Sequence, residues 1–251
     1  MTAAAEFWTT GDYAVVGDLW AQPGRDLAAT LAVRDRDVVD LATGTGVTAI
    51  AAARHGARSV TGVDVTPDLL REAVRRSRAA GVDVTWIEAD LTDVPLPTDC
   101  ADLVTSTFGL VFAEPGPALA EARRLVRPGG RVVFTSWAAE GLFGRIRQAL
   151  APYFPGAPEP WHEERDAIRS LAGADATVEV SSFTMTIESP EQFVSLLERF
   201  SAPIVNGAAS LGDAWPSARR ALVRVVEEVA GDAGPDGHRV PVDYLVTTLS
   251  G

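Results

Sequence analysis

The chain has 251 residues, 47% of them hydrophobic, enough to bury one enzyme-sized core and inconsistent with a disordered protein. Its net charge of -12 argues against a nucleic-acid backbone or an anionic membrane as partner and points to small molecules. All 22 basic side chains are Arg, which excludes Lys Schiff-base chemistry and the phosphate-binding Lys of a P-loop.

The single cysteine, Cys100, has no partner for an intramolecular disulfide and lacks the Cys and His companions of a zinc site. No basic-plus-apolar leader opens the sequence, and every apolar run is broken before about 18 residues. The expectation is a cytoplasmic protein, monomeric or homodimeric, with no metal, membrane or nucleic-acid partner.

In chain order, residues 11–33 carry Val15, Val16, Leu19, Trp20, Leu27 and Leu31 at helical spacing with a break at Pro23-Gly24. This predicts two short helices ahead of the sheet, placed to cap a cofactor mouth. From residue 37 strands and helices alternate. Strands are predicted at 37–42, 59–64, 83–88, 101–106 and 131–137, and helices at 46–55, 67–80 and 116–126. Such alternation with short turns gives right-handed crossovers and a parallel sheet covered on both faces. Thr66-Pro67 reads as a helix start and Gly81 as its stop, while Arg127-Pro128-Gly129-Gly130 turns from a helix into the next strand. Beyond Trp137 the pattern leaves the sheet through an amphipathic segment to about residue 153 and a Pro-rich loop. A strand at 176–188, helices at 190–201 and 214–230 and a β-branched final strand follow, the last expected to return beside the first.

Val38 to Gly46 reads as a buried strand entering a tight glycine turn, and Val60 to Asp64 as a second strand ending in an acid. Gly44, Gly46 and Ala49 satisfy the dinucleotide spacing G-x-G-x-x-A, and Asp64 lies 20 residues past Gly44, so an NAD-dependent reductase is compatible with the spacing. Two further acids favour another cofactor. Asp40 heads the turn as D-x-A-x-G-x-G, and Asp90 ends the third strand. A turn headed by a carboxylate suits a ligand with an ammonium group and no phosphate, and S-adenosylmethionine is such a ligand.

The chain resembles the class I S-adenosylmethionine-dependent methyltransferases of type 11/25, the broad group with the ubiquinone/menaquinone C-methyltransferases and small-molecule enzymes of actinobacteria. Asp40 to Gly46 resembles that family's first motif, Gly62 to Pro67 its second, Glu88 to Leu91 its third and Ser106 to Gly109 its fourth, with Arg127 to Gly130 before strand five. Ala42 departs from the usual Gly. The resemblance implies an α/β, Rossmann-like, seven-stranded, mostly parallel sheet with an antiparallel last strand, a helical N-terminal cap and a helical insertion after strand five. One domain over 1–251 is expected: a cap at 1–34, a cofactor core at 35–137, and substrate-side helices at 138–175 and 189–238.

The same resemblance implies a role for each site residue. Asp64 would accept hydrogen bonds from the ribose hydroxyls and Asp90 from the adenine amino group, with Val65 and Leu91 flanking the ring. Asp40 would orient the glycine turn or the methionine ammonium. Ala42, Thr43, Gly44 and Gly46 form the turn, and the glycines keep side chains out of the cofactor's way. Thr107 and Phe108 follow strand four and face the methyl donor, and Tyr13 would reach its methionine end. The competing structural role for Asp64 and Asp90 is to cap the turn after their strands.

Trp8, Phe108, Trp137, Phe143 and Trp161 are the candidate acceptor contacts, or else packing residues of core and lid. His162 and Tyr13 are the candidate catalytic residues. His238 is an alternative base, and His55 reads as a helix cap. The expected reaction is methyl transfer to a small aromatic or polyketide-like acceptor, with S-adenosylhomocysteine as product. The long, apolar lid region points to secondary metabolism of the antibiotic-biosynthesis kind. The alternatives are a non-methylating, cyclase-type catalyst on the same fold and a cofactor-sensing scaffold protein. O-, N- and C-methylation leave no distinguishing residue signature.

Overall fold

The computed structural model describes residues 3–173 and 175–251. Packing divides them into two compact units. The first comprises the described residues up to Trp20 with Trp137–Glu164 and Val180–Leu245, and the second Ala21–Ser136, Arg165–Glu179 and Val246–Gly251.

The second unit opens with α3 (Gln22–Thr30), after α1 (Ala3–Trp8) and α2 (Tyr13–Gly17) of the first. Pro23 sits in the first turn of α3, where its missing N–H costs nothing, so Pro23-Gly24 starts this helix where a break was expected. Strands β1 (Asp37–Leu41), β2 (Ser59–Asp64), β3 (Thr85–Glu88), β4 (Ala101–Thr107) and β5 (Val126–Trp137) then alternate with α4 (Val47–Arg54), α5 (Pro67–Ala80) and α6 (Pro115–Leu125). The pairs β1–β2, β1–β4, β2–β3 and β4–β5 are all parallel. Asp37–Leu41 and Ala101–Thr107 are buried along nearly their whole length, as expected for strands covered on both faces. Leu27, Ala28, Val38, Ala49, Ala52, Val60, Leu103 and Val133 form a core between α3, α4 and the sheet, with Trp86 packed at its margin.

Local signals set the sharpest boundaries. Thr66 is extended at the N-cap position of α5 without a side-chain capping hydrogen bond, Pro67 opens the helix, and Gly81 closes it in the left-handed region at φ 67°. Arg127 to Gly130, expected as a turn, instead lies within β5. The partner of Ala101 is Val126 and that of Leu103 is Arg131, so these residues form an irregularity in a continuous strand.

The remaining elements are α7 (Leu142–Leu150), α8 (Arg165–Ala172), β6 (Thr177–Ile187), α9 (Pro190–Phe200), α10 (Ala202–Leu211), α11 (Trp215–Val229), β7 (Ala233–Gly234) and β8 (Gly237–Ser250). Strand order is β3-β2-β1-β4-β5-β8-β6, a seven-strand path, with the two-residue β7 paired antiparallel to β8. The final strand therefore does not return beside the first. Both sides of β1 are already occupied by β2 and β4, which leaves β8 a place next to β5. The helices α8 and α10 lie within the ranges expected to be helical, but neither was bounded individually from the sequence.

Candidate functional site

The carboxyl ends of β1, β2, β3 and β4 place the candidate cofactor residues other than Tyr13 within the second unit; Tyr13 belongs to the first. Asp40 is only 1% exposed on β1. Its two carboxylate oxygens accept hydrogen bonds from Thr43 Oγ1 at 2.6 Å and Thr105 Oγ1 at 2.7 Å. The bond from Thr43 ties Asp40 to the glycine turn. Burial raises its pKa to about 6, and the neighbouring charge of Asp64 adds to the rise.

Asp64, 7% exposed, joins the second motif to the first. One carboxylate oxygen accepts from the Gly44 N–H at 2.7 Å and the other from the Thr66 N–H at 2.9 Å. The capping contact and the cofactor-facing role are therefore compatible: each oxygen has a second lone pair with which to receive a diol. Burial also raises this carboxyl's pKa. The partners of both acids are hydroxyls and backbone N–H groups rather than cations.

Asp90 follows β3 and is half-buried, its Oδ1 accepting from the Thr92 N–H at 2.9 Å and Thr92 Oγ1 at 2.7 Å. Val65 and Leu91 are half-buried beside these two acids in sequence. The Ala89 N–H donates to the Asp64 carbonyl at 3.1 Å, which ties the end of β3 to the end of β2.

The glycine turn carries backbone strain where the sequence departs from the usual pattern. Ala42 has φ 49°, a left-handed conformation that favours glycine. Phe108, also left-handed at φ 57°, is buried, and its N–H donates to Thr135 Oγ1 at 3.0 Å. The two bends interlock. A side chain at Gly109 would come within 2.3 Å of the Ala42 methyl, so the methyl that replaces the usual glycine proton requires a glycine opposite. Thr107 pairs with Thr48 Oγ1 at 2.8 Å, and Gly24 of α3 lies so close that its Cβ would stand 2.6 Å from that Thr48 oxygen.

Gly46 differs from the expectation that it simply clears space for a ligand. It is left-handed at φ 82°, and a Cβ on it would meet Trp86 Cη2 at 2.6 Å and Ala73 Cβ at 3.1 Å. Its missing side chain serves helix and sheet packing. Trp86, not anticipated as a site-related residue, also lies across Gly62, whose Cβ would come within 2.4 Å of the indole.

The first unit holds the candidate acceptor rings other than Phe108, and Tyr13 with them. Trp8 and Tyr13 stand edge to face at 5.9 Å, and Tyr13 receives a hydrogen bond at 2.9 Å from Trp20 Nε1. Trp20 continues the series to Phe143 at 5.2 Å and Trp137 at 6.0 Å, and the last two lie 4.2 Å apart. Trp20, buried in this series, had been read only as a helix position. Trp161 is in contact with another ring, that of His162, at 5.7 Å.

His162 Nδ1 is buried without a hydrogen-bond partner, and burial together with the Arg147 charge lowers the ring's pKa to about 4. The ring is neutral at physiological pH and a weak proton acceptor. Arg147 Nε donates to both oxygens of buried Glu163 at 2.8 Å, so the region expected to be apolar contains an ion pair. His238 Nδ1 lies 2.8 Å from the Gly231 carbonyl, and His55 is the C-cap of α4.

Comparison with known proteins agrees with this architecture. Residues 38–130 match the family model described as a methyltransferase domain. An uncharacterised protein of Mycobacterium tuberculosis is 32% identical, covering 98% of this chain and 93% of its own. A demethylmenaquinone methyltransferase of Thermus thermophilus is 35% identical over 145 residues, 55% of this chain and 65% of the relative. The crystal structure of the YcgJ protein from Bacillus subtilis shares the fold, with a TM-score of 0.61 at 17% identity over 91% of this chain and 98% of that one. The chain belongs to the class I S-adenosylmethionine-dependent methyltransferases. Among the described residues no helix is long and apolar enough to cross a membrane.

Proposed function

We propose that this protein binds S-adenosylmethionine at the carboxyl edge of β1, β2 and β3 and methylates a small aromatic or polyketide-like acceptor. The observation that carries the cofactor reading is the buried pair Asp40 and Asp64, both held by neutral donors and both with raised pKa values. Such a pair repels a pyrophosphate and attracts a cationic ligand, which favours a sulfonium cofactor over NAD. The residues fit the group. Asp64 keeps lone pairs for the ribose diol, Asp90 and Leu91 offer an acceptor and an apolar wall for adenine, and Gly44, left-handed and tied to Asp64, keeps the turn free of a side chain.

S-Adenosylmethionine supplies a methyl group on a positively charged sulfur, an electrophile that needs no metal. The protein's task is then to bind and orient two molecules and exclude water. Phe108, left-handed and buried just after β4, is the ring proposed to stand near the sulfonium. Trp8, Phe108, Trp137, Phe143 and Trp161 are the proposed acceptor contacts, and Tyr13 the proposed contact to the methionine end of the cofactor. His162 serves as a neutral hydrogen-bond partner there, because its depressed pKa makes it a poor base. A cytoplasmic role in secondary metabolism belongs to the same reading.

Calorimetric titration with S-adenosylhomocysteine tests the cofactor assignment; no heat of binding at millimolar ligand rejects it. Turnover on a panel of phenolic and polyketide acceptors, read as S-adenosylhomocysteine released per acceptor consumed, tests the transfer. Acceptor conversion without that product would instead establish a cyclase-type catalyst.

A further inference from the structure

The turn from Thr43 to Gly46 is held by side-chain and backbone hydrogen bonds and by one aromatic contact. Thr43 Oγ1 donates to Asp40, the Gly44 N–H to Asp64, the Thr43 N–H to the Val63 carbonyl at 2.9 Å and the Gly46 N–H to the Thr43 carbonyl at 2.9 Å. The remaining contact is aromatic. Trp86, Gly62, Asp40 and Thr105 occupy one register row across β3, β2, β1 and β4, so they share one face of the sheet. Along this row the indole of Trp86 crosses the bare backbone of Gly62 and reaches Gly46 at the head of α4. A Cβ on Gly62 would meet Trp86 Cζ3 at 2.4 Å and the Thr43 methyl at 3.0 Å, and a Cβ on Gly46 would meet Trp86 Cη2 at 2.6 Å. Gly62 has an ordinary strand conformation, so the ring accounts for the glycine there and backbone geometry does not.

We propose that Trp86 is a positioning residue of the cofactor turn: its indole, seated in the space left by Gly62 and Gly46, sets the height of the Gly44–Gly46 backbone and thereby cofactor affinity. This rests on the reading of that turn as the S-adenosylmethionine loop. Asp40 and Asp64 fix the turn through hydrogen bonds at one end. Trp86 packs at the other end, where Gly46, left-handed and without a side chain, is held by backbone hydrogen bonds to Thr43 and from Ile50 and is flanked by the side chains of Trp86, Ala73 and Ile50. The small residues at 46 and 62 and the large one at 86 are a complementary set, and changing one member requires a change in another.

The test is a size exchange read by S-adenosylhomocysteine titration alongside thermal melts of the same samples. Trp86→Leu is expected to weaken binding about tenfold while remaining folded at the assay temperature, and Trp86→Phe to stay within about threefold of wild type. Gly62→Ala, which drives a methyl into the indole, is expected to weaken binding by more than about tenfold, and Gly62→Ala with Trp86→Leu to recover affinity to the level of Trp86→Leu alone. A purely structural role would lower the melting temperature and leave the affinity of the folded protein unchanged. Wild-type affinity in folded Trp86→Leu overturns the proposal. If Gly62→Ala does not fold, the Leu and Phe variants at 86 decide it. Absence of binding by the wild-type protein sinks the cofactor reading itself, and this proposal with it.

Discussion

The two edges of the parallel sheet in the second unit use the same residue type in opposite ways. At the amino edge Asp37 begins β1 and Asp102 lies near the start of β4. Arg58 Nη2 is 2.5 Å from Asp37 and 3.2 Å from Asp102, and Arg127 bridges the same two acids at 3.0 and 2.8 Å. Hydrogen bonds from Arg58, Ser59 and Arg127 hold the Asp37 carboxyl below the usual range, and the Asp37 N–H with Arg127 does so for Asp102. At the carboxyl edge Asp40 and Asp64 are buried among neutral donors, and burial raises both. One edge spends its carboxylates on joining strands through arginines, and the other keeps them buried among hydroxyls and backbone N–H groups.

The largest expected effect tests the strain on the carboxyl side. Gly109→Ala should destabilise the protein by about 2–3 kcal/mol, because its methyl meets that of Ala42, and Ala42→Gly in the same chain should restore most of the loss. Urea denaturation of the single and double variants checks this, and additive losses would break the interlocking account.

Asp64→Ala should weaken S-adenosylhomocysteine at least about tenfold by calorimetry. Unchanged affinity would return Asp64 to the role of a turn cap and remove half of the contrast between the edges.

Asp40 and the amino-edge acids should respond to pH in opposite directions. Because its folded pKa near 6 lies above the ordinary 3.8, ionisation of Asp40 opposes folding. Its contribution is most favourable below the ordinary Asp range and is lost as pH rises through about 6. Asp37 and Asp102, lowered in the fold, contribute fully above the ordinary range and lose that contribution only as pH falls below it. Asp40→Asn should therefore flatten the change in melting temperature between pH 5 and 7 and raise the ligand-free melting temperature at pH 7.5. It should also weaken the cofactor, since the Asn side chain removes the charge. An undiminished pH slope in this variant would refute the assignment.

The smallest effect belongs to the amino edge. Arg58 is largely exposed, so Arg58→Ala should lower the melting temperature only slightly, and 1 M salt should erase the difference. A large, salt-independent loss would show that this edge carries more of the fold than its exposure suggests.

What was legible in the sequence followed from local chemistry. The strand Ser59–Asp64 and the helix Pro67–Ala80 could be bounded from the chain alone, because Thr66, Pro67 and Gly81 act within one turn of where they stand. The acids Asp40, Asp64 and Asp90 were visible for a related reason: a polar residue ending an apolar run marks the carboxyl edge of a buried strand. The partners of those acids were not visible. Thr105 reaches Asp40 only because β4 lies beside β1, 65 residues further along the chain. The bounds of α10 escaped because the Ala, Ser and Gly along Ala202–Leu211 dilute its apolar periodicity. Arg127 to Gly130 misled because Pro and Gly signal a turn whether they end a strand or kink one.

By itself the sequence determined the alternating α/β order, the glycine turn and the acids around it, since each depends on side chains a few residues apart. Only the tertiary structure decided that β8 lies between β5 and β6, that Ala42 and Gly109 must be chosen together, and that Trp86 rests on two glycines. These are matters of volume shared between distant segments. No stretch of chain encodes the space its neighbour will leave, so they become definite only when the strands are laid side by side.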